Sequence, residues 1–305
     1  MKLSVWMSAY NHDRFIAEAI ESVLMQKTDF DVEIVIGEDC STDSTRQIIL
    51  DYNKKYPGKF KLLLPEKNLG MIPMFISTYP LCNGDYVAWL DGDDYWTDPL
   101  KLQKQVDFLQ KHSEFVMCFH NVIQQNEMDH TVVIKELPYP MNPDHSLMVN
   151  HFCSHNPVSA CSVVYRNILP DNLPEWFSAL PFPDLAFYFL LAEKGKIQFM
   201  DEVMGVYRLH GKGEWSGSSR YENYRKLVSF YDEIQEYFPE YKETIKTGSL
   251  PVNETLLYLS MDQQKFSEAR KLYLKILRTN AIFWRNKKGE MLRLFASLFI
   301  KHIGK

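Results

Sequence analysis

The sequence predicts an α/β fold: a mostly parallel sheet flanked by helices, with a helical extension at the C-terminal end. Three observations predict it. Short apolar runs alternate with helical periodicity as far as Leu90, most of these runs close on polar residues, and helical periodicity alone continues from Tyr221 onward.

Taken in order, Leu3–Met7, Val32–Ile36, Phe60–Leu64 and Tyr86–Leu90 are the apolar runs, and Phe15–Met25, Thr45–Tyr56 and Met71–Leu81 are the helical segments between them. Apolar strands this short, separated by helices, are covered on both faces and pair in parallel. Sheets of this kind bind ligands beyond the carboxyl ends of their strands. The residues at those ends are therefore candidates: Ala9-Tyr10-Asn11, Glu38-Asp39-Cys40-Ser41 and Asp91-Gly92-Asp93-Asp94.

Lys101–Lys111 then reads as a helix, Phe115–Phe119 as a strand, and Gln124–Pro143 as a polar stretch without period. Ala160–Tyr165 reads as a strand, Leu185–Glu193 as a helix closed by Gly195, and Ile197–Met200 with Val203–Tyr207 as two further short strands. Leu209–Ser219, with Gly211, Gly213 and Gly217, reads as a loop. Helical patterns follow over Tyr221–Phe238, Glu254–Ser260, Phe266–Leu277 and Met291–Ile303. The middle two resemble one tetratricopeptide hairpin, but a single copy is a packing appendage and not a solenoid. The expected organisation is residues 1–220 in one domain, with halves 1–120 and 121–220, and a helical extension over 221–305.

Composition excludes several classes. With 46% hydrophobic and 24% charged residues in 305, the chain is not disordered, and a net charge of -5 argues against a nucleic-acid partner. Five cysteines without C-x-x-C spacing indicate neither a disulfide framework nor a zinc site, so a reducing, cytoplasmic setting is expected. The apolar stretch at Met1–Met7 is too short for a signal peptide, and no run of about 18 apolar residues occurs. Over 284–305, Arg285, Lys287, Lys288, Arg293, Lys301 and Lys305 interleave with apolar residues. That pattern suits either a helix lying on the inner face of an anionic membrane or one docking on the helical extension.

Asp91-Gly92-Asp93-Asp94 is the strongest chemical signal, because clustered carboxylates at a strand end repel unless a cation neutralises them. Hard oxygen ligands suit Mg²⁺ or Mn²⁺, whose remaining positions commonly go to phosphates. The bland alternative is an acidic turn leading into the next helix through Asp98. In Glu38-Asp39-Cys40-Ser41-Thr42-Asp43, Thr42 or Ser41 suits a helix cap and Asp43 the positive first turn, which leaves Asp39 unexplained. Asp39 could accept the ring N–H of a uracil or thymine, with Asn11 and the Ala9–Tyr10 backbone beside it and the Tyr10 ring available for stacking.

In this order, Ala9-Tyr10-Asn11, Glu38-Asp39-Cys40-Ser41-Thr42-Asp43, Asn68-Leu69-Gly70 and Asp91-Gly92-Asp93-Asp94 resemble the family 2 glycosyltransferases. The resemblance implies a GT-A fold, a nucleotide diphosphate sugar donor, a divalent cation and inversion at the anomeric carbon. It implies that Asp39 reads the base, with Glu38 replacing the commoner aspartate, that Asp91 and Gly92 lie near the ribose and diphosphate, and that Asp93 binds metal. Cys40 stands where the pattern usually has glycine or another small residue. Lys67, Asn68 and Gly70 are placed toward the nucleotide, although Lys67 is equally a solvated loop lysine.

Asp184, before a helical run, reads either as an N-cap or, by its resemblance to the family's acceptor-side motif, as the general base. Val206-Tyr207-Arg208-Leu209-His210 resembles the family's Tyr-Arg-x-His segment, so Arg208 is expected at the diphosphate and His210 at the metal. Asp94 and Trp215 are assigned to the acceptor side. The function implied is transfer of a sugar, from a UDP-sugar in the first instance, to a hydroxyl of a saccharide or lipid-linked saccharide in surface polysaccharide synthesis. A nucleotidyltransferase and a non-catalytic interaction protein are the alternatives. The former lacks its glycine-rich basic loop after the first strand.

Overall fold

A computed structural model describes residues 1–135, 146–213, 215–279, 293–295 and 298. Two compact units divide the chain, Met1–Val149 with Asn156–Gly211, and Asn150–His155 with Lys212–Lys305.

The first unit runs β1 (Lys2–Ala9), α1 (Ile16–Leu24), β2 (Asp31–Glu38), α2 (Thr45–Lys55), β3 (Phe60–Leu63), α3 (Met71–Thr78), β4 (Tyr86–Trp89), β5 (Tyr95–Trp96), α4 (Lys101–Lys111), β6 (Phe115–Asn126), β7 (Val132–Ile134) and β8 (Ser146–Leu147). A short helix α5 (Val149–Phe152), three of whose residues belong to the second unit, comes next in the chain, and the first unit resumes with β9 (Val164–Arg166), α6 (Pro183–Ala192) and β10 (Lys196–Leu209). The sheet order is β3-β2-β1-β4-β9-β6-β10-β5, with β7 on β6 and β8 on β10. Strands β1 to β4 are parallel, β9 is antiparallel to both β4 and β6, and β10 runs parallel to β6. The carboxyl ends of β1, β2, β4 and β10 therefore share one edge.

Both faces are buried because successive side chains alternate across the sheet. Leu3, Val5 and Met7 join Ile34, Ile36 and Ala88 under Ile16, Ile20, Val23, Leu102 and Val106 of α1 and α4. On the other face Trp6 meets Phe75 edge-on at 4.2 Å and Trp89 at 4.7 Å, and Phe187 of α6 packs on Phe75 at 5.6 Å and on Tyr79 at 5.4 Å. Beyond Asp184 in its first turn helix α6 is almost wholly apolar, and seven of its residues from Leu185 to Ala192 are buried.

Three expectations change in detail. The two strands expected over 197–207 are one, β10, whose register shifts between Met200 and Val203 and leaves Asp201 and Glu202 in solvent. The strand expected at Phe115–Phe119 continues to Asn126 and forms a hairpin with β7, inside the stretch expected to lack regularity. The strand expected at Ala160–Tyr165 begins with a 3₁₀ turn over Ala160–Ser162.

The second unit contains α7 (Arg220–Tyr237), α8 (Lys242–Gly248), α9 (Leu250–Asp262) and α10 (Phe266–Thr279). Ser219 caps α7 by accepting from Glu222 N–H. Most of the basic stretch 284–305 lies outside the described residues. Among the described residues no helix is long and apolar enough to cross a membrane.

Candidate active site

The turn after β4 is stitched to β1 beyond the last residues that pair, with Leu90 N–H donating to Trp6 O at 2.9 Å and Gly92 N–H to Ser8 O at 2.8 Å. A Cβ on Gly92 would lie 2.8 Å from Ile16 Cδ1 and 3.0 Å from His12 Nδ1, so this position admits only glycine without a shift of its neighbours. Asp91 accepts from Ser8 Oγ and from Trp89 Nε1, the latter at 3.1 Å. Burial and the neighbouring Asp93 push its carboxyl up to about 6.

Asp93 is met by two imidazoles. His210 Nε2 lies 2.9 Å from Asp93 Oδ2, and His12 Nε2 lies 3.7 Å from the same oxygen. Burial opposes ionisation of Asp93, but the two histidines together hold its carboxyl below the usual range. His12, mainly through burial and further through His210, is shifted toward the neutral form, and its Nδ1 is buried without a partner. A carboxylate beside imidazole nitrogens is a donor set that suits Mn²⁺. Among the described residues no group of three or more such donors is already arranged around one point. Asp93 and His210 nonetheless fit a divalent ion, with His12 alongside.

The base-side loop is held from within. Asp39 N–H donates to Ala9 O at 2.9 Å, and its carboxylate accepts from Leu69 N–H at 2.7 Å and Gly70 N–H at 2.9 Å. Asn68 Nδ2 donates to Asp39 O at 3.0 Å. Gly70 takes φ 88°, a left-handed conformation, to turn into α3. Cys40 also has φ 56°, which accounts for a glycine at this point of the motif. Tyr10 is 44% exposed at the sheet edge, so its ring is open to stacking.

Several residues expected to touch ligand are committed elsewhere. Glu38 is fully buried, accepting from Ser41 N–H at 2.6 Å and pairing with Arg46. Asn11 Oδ1 accepts from Thr42 N–H at 2.8 Å, which ties the first loop to the second. Asp94 is 1% exposed and accepts from Arg208 N–H at 2.8 Å, a placement inside the scaffold and not on an acceptor face. Arg208, with a side chain 4% exposed, donates to Asp93 O at 2.7 Å, pairs with Glu18, and lies over the Tyr95 ring at 4.2 Å. Lys67 is exposed. Trp215 belongs to the second unit and is 43% exposed.

Asp184 sits in the first turn of α6, with Phe182 in the N-cap position, and accepts from Asn156 Nδ2 at 2.6 Å. It is therefore within the helix and not its cap. Burial pushes its carboxyl upward. Its charge adds to the upward push on the Asp91 carboxyl. His12, Glu18 and Asn156 were not singled out from sequence. His12 had a signal, since it directly follows Asn11 in the loop after β1.

This chain belongs to the glycosyl transferase family 2, whose family model matches residues 4–169. It is 36% identical over 228 residues to an uncharacterized protein of Mycobacterium tuberculosis, a match covering 74% of this chain and 63% of that protein's length. It is 28% identical over 237 residues to the putative teichuronic acid biosynthesis glycosyltransferase TuaG of Bacillus subtilis, covering 76% of this chain and 88% of TuaG. The fold is that of S. aureus TarS 1–349 in complex with UDP-GlcNAc, at TM-score 0.57 and 18% identity over 89% of this chain and 90% of that one. The mannosyltransferase PcManGT from Pyrobaculum calidifontis, in complex with GDP-Man and Mn²⁺, superposes at TM-score 0.56 and 13% identity over 99% of this chain and 87% of that one. The family and the GT-A fold expected from the motifs are both borne out.

Proposed function

We propose that this chain is an inverting glycosyltransferase that moves a sugar from a uridine diphosphate sugar to a saccharide hydroxyl in polysaccharide synthesis, with Mn²⁺ or Mg²⁺ as cofactor. The observation that carries this reading is Asp93 facing His210 and His12 at the carboxyl edge of the sheet, with Asp39 and Asp91 beside the same edge and the charge of Asp184 acting on Asp91. The TarS complex with UDP-GlcNAc and the PcManGT complex with GDP-Man and Mn²⁺ support the donor class and the metal. TuaG's name supports the polysaccharide setting.

In this reading Tyr10 stacks on the base, and Asp39 accepts its ring N–H. A carboxylate has about four lone-pair sites, so the two backbone N–H groups on Asp39 leave capacity for a third donor. Asp93 and His210 hold the ion, which when bound supplies positive charge to the departing diphosphate. Arg208 fixes the Asp93 backbone, and Asp94 fixes the backbone of Arg208, so the acidic turn keeps one shape. Asp184 takes the proton from the acceptor hydroxyl, whose oxygen forms the new bond as the bond to the diphosphate breaks on the opposite face. A single displacement with one base gives inversion, by the logic that separates the two glycosidase classes. A raised carboxyl is a stronger base once ionised, which suits the role.

The test is release of UDP from a panel of UDP-sugars in the presence of Mn²⁺ and oligosaccharide acceptors. Turnover by the wild type and its loss by 10²-fold or more in Asp184→Asn are expected, a magnitude typical of general base removal. Turnover that survives in Asp184→Asn removes Asp184 from the mechanism.

A further inference from the structure

Asn156 carries no role in the reading above, yet its side chain donates a hydrogen bond to Asp184. Its orientation is fixed by its own chain. Asn156 precedes Pro157, a dipeptide that favours turns, and its Oδ1 accepts from Val158 N–H at 3.0 Å, closing an Asx turn. An N–H can face only the amide oxygen, so the NH₂ group must point the other way. It points at Asp184 Oδ2, 2.6 Å away. The backbone thus decides which end of the amide meets the carboxylate.

The surroundings give that contact a purpose. Asp184 is faced by Asp91 from the turn after β4, by Tyr188 from its own helix, by the backbone N–H of Leu185, and by Lys135 at the end of β7. Lys135 Nζ itself donates to Ser159 Oγ at 3.0 Å. A carboxylate removed from water beside a second carboxylate needs donors to stay charged and must be held still to meet a substrate proton.

We infer that Asn156 is the positioning residue for Asp184: its amide, set by the Val158 N–H, holds the carboxylate in one orientation and donates to its negative charge. The inference rests on Asp184 being the base proposed above. Asn156 acts through Asp184 and touches no reacting atom.

A double-mutant cycle in thermal unfolding tests the pair without any substrate. Asn156→Ala, Asp184→Asn and the double variant are melted at pH 8 and at pH 4. A hydrogen bond to a charged acceptor is roughly twice as strong as one to a neutral acceptor. The coupling between the two sites is therefore expected to be about twofold larger at pH 8, where Asp184 is ionised, than at pH 4. Coupling that is absent, or equal at the two pH values, overturns the inference.

The second arm follows UDP release from the UDP-sugars against pH. Asn156→Ala is expected to move the acidic limb of kcat upward by about one pH unit, the equivalent of losing one charge-assisted donor, with little change in KM for the donor. Asn156→Asp, which keeps the size and replaces the donor by a like charge, is expected to move it further. A uniform fall in rate at every pH, with the limb unmoved, is what a merely structural residue would give and overturns the positioning role. The failure of the base assignment looks different: unfolding coupling persists, but Asp184→Asn turns over normally.

Discussion

Replacing Arg208 by methionine separates its two possible roles. As a clamp on the diphosphate, the guanidinium would face ligand and contribute little to the unliganded protein. The geometry assigns it to the scaffold. It donates to the Asp93 carbonyl at 2.7 Å, pairs with Glu18, and lies 4.2 Å from the Tyr95 ring centroid and 5.0 Å from that of Phe15. A hydrogen bond from a charged donor contributes about 1.5–3 kcal/mol and a partly desolvated cation–π contact about 1 kcal/mol. Glu18 is 55% exposed and can rehydrate after the change, and Glu127, whose Oε1 lies 3.5 Å from Arg208 Nε, keeps a donor in Gln125 Nε2, so each pair adds less than about 1 kcal/mol. Methionine keeps much of the aliphatic volume, so the loss comes to about 3 kcal/mol. At roughly 2–4 °C per kcal/mol for domains of 150–250 residues, the midpoint should fall by about 6–12 °C. The assay is thermal unfolding without nucleotide or metal, followed by UDP titration at a temperature where the variant is folded. A midpoint within about 1 °C of wild type, together with lost UDP affinity, would refute the scaffold assignment and restore the clamp.

Other consequences follow from the same geometry. His210→Ala should abolish the stabilisation by Mn²⁺ plus UDP in thermal unfolding, because the ion loses one of two facing donors; a shift equal to that of wild type would remove His210 from the metal site. Asp39→Asn keeps the shape but offers one acceptor oxygen where Leu69 and Gly70 present two N–H donors, so a loss of about 1–3 kcal/mol in urea unfolding is expected. For Asp91, whose carboxyl is pushed up to about 6, the folded state binds the proton more tightly than the unfolded chain. Its contribution to stability is therefore present at low pH and is lost as pH rises from about 4 to about 6. Asp91→Asn should flatten the stability curve across that window, as read by urea midpoints at several pH values.

The fold was legible where alternation and burial agree. Leu3, Val5 and Met7 against Trp6 in β1 gave both a strand and its two covered faces, and the polar residues after β1, β2 and β4 marked the shared edge. Strand β10 was not legible as one element, because Asp201 and Glu202 interrupt its apolar pattern at a register shift that only the pairing with β6 defines. In the site, Asp93 and His210 could be proposed separately, but their meeting across 117 residues is a property of the sheet order. Glu38 and Asn11 show the limit of the strand-end argument. A polar side chain at such an end can meet a ligand or lock one loop to the next, and here their hydrogen bonds go to Ser41 and Thr42. Asn156 carried no signal beyond the Asn-Pro turn, since its partner lies 28 residues away.

The measurement that bears most directly on the proposed activity is calorimetric titration of UDP into the wild type and Asp93→Ala, each with Mn²⁺ and with EDTA. Binding to the wild type should strengthen with Mn²⁺, and the Asp93→Ala variant should no longer respond to the metal. Binding of equal strength in all four titrations, or none in any, would contradict the proposed activity.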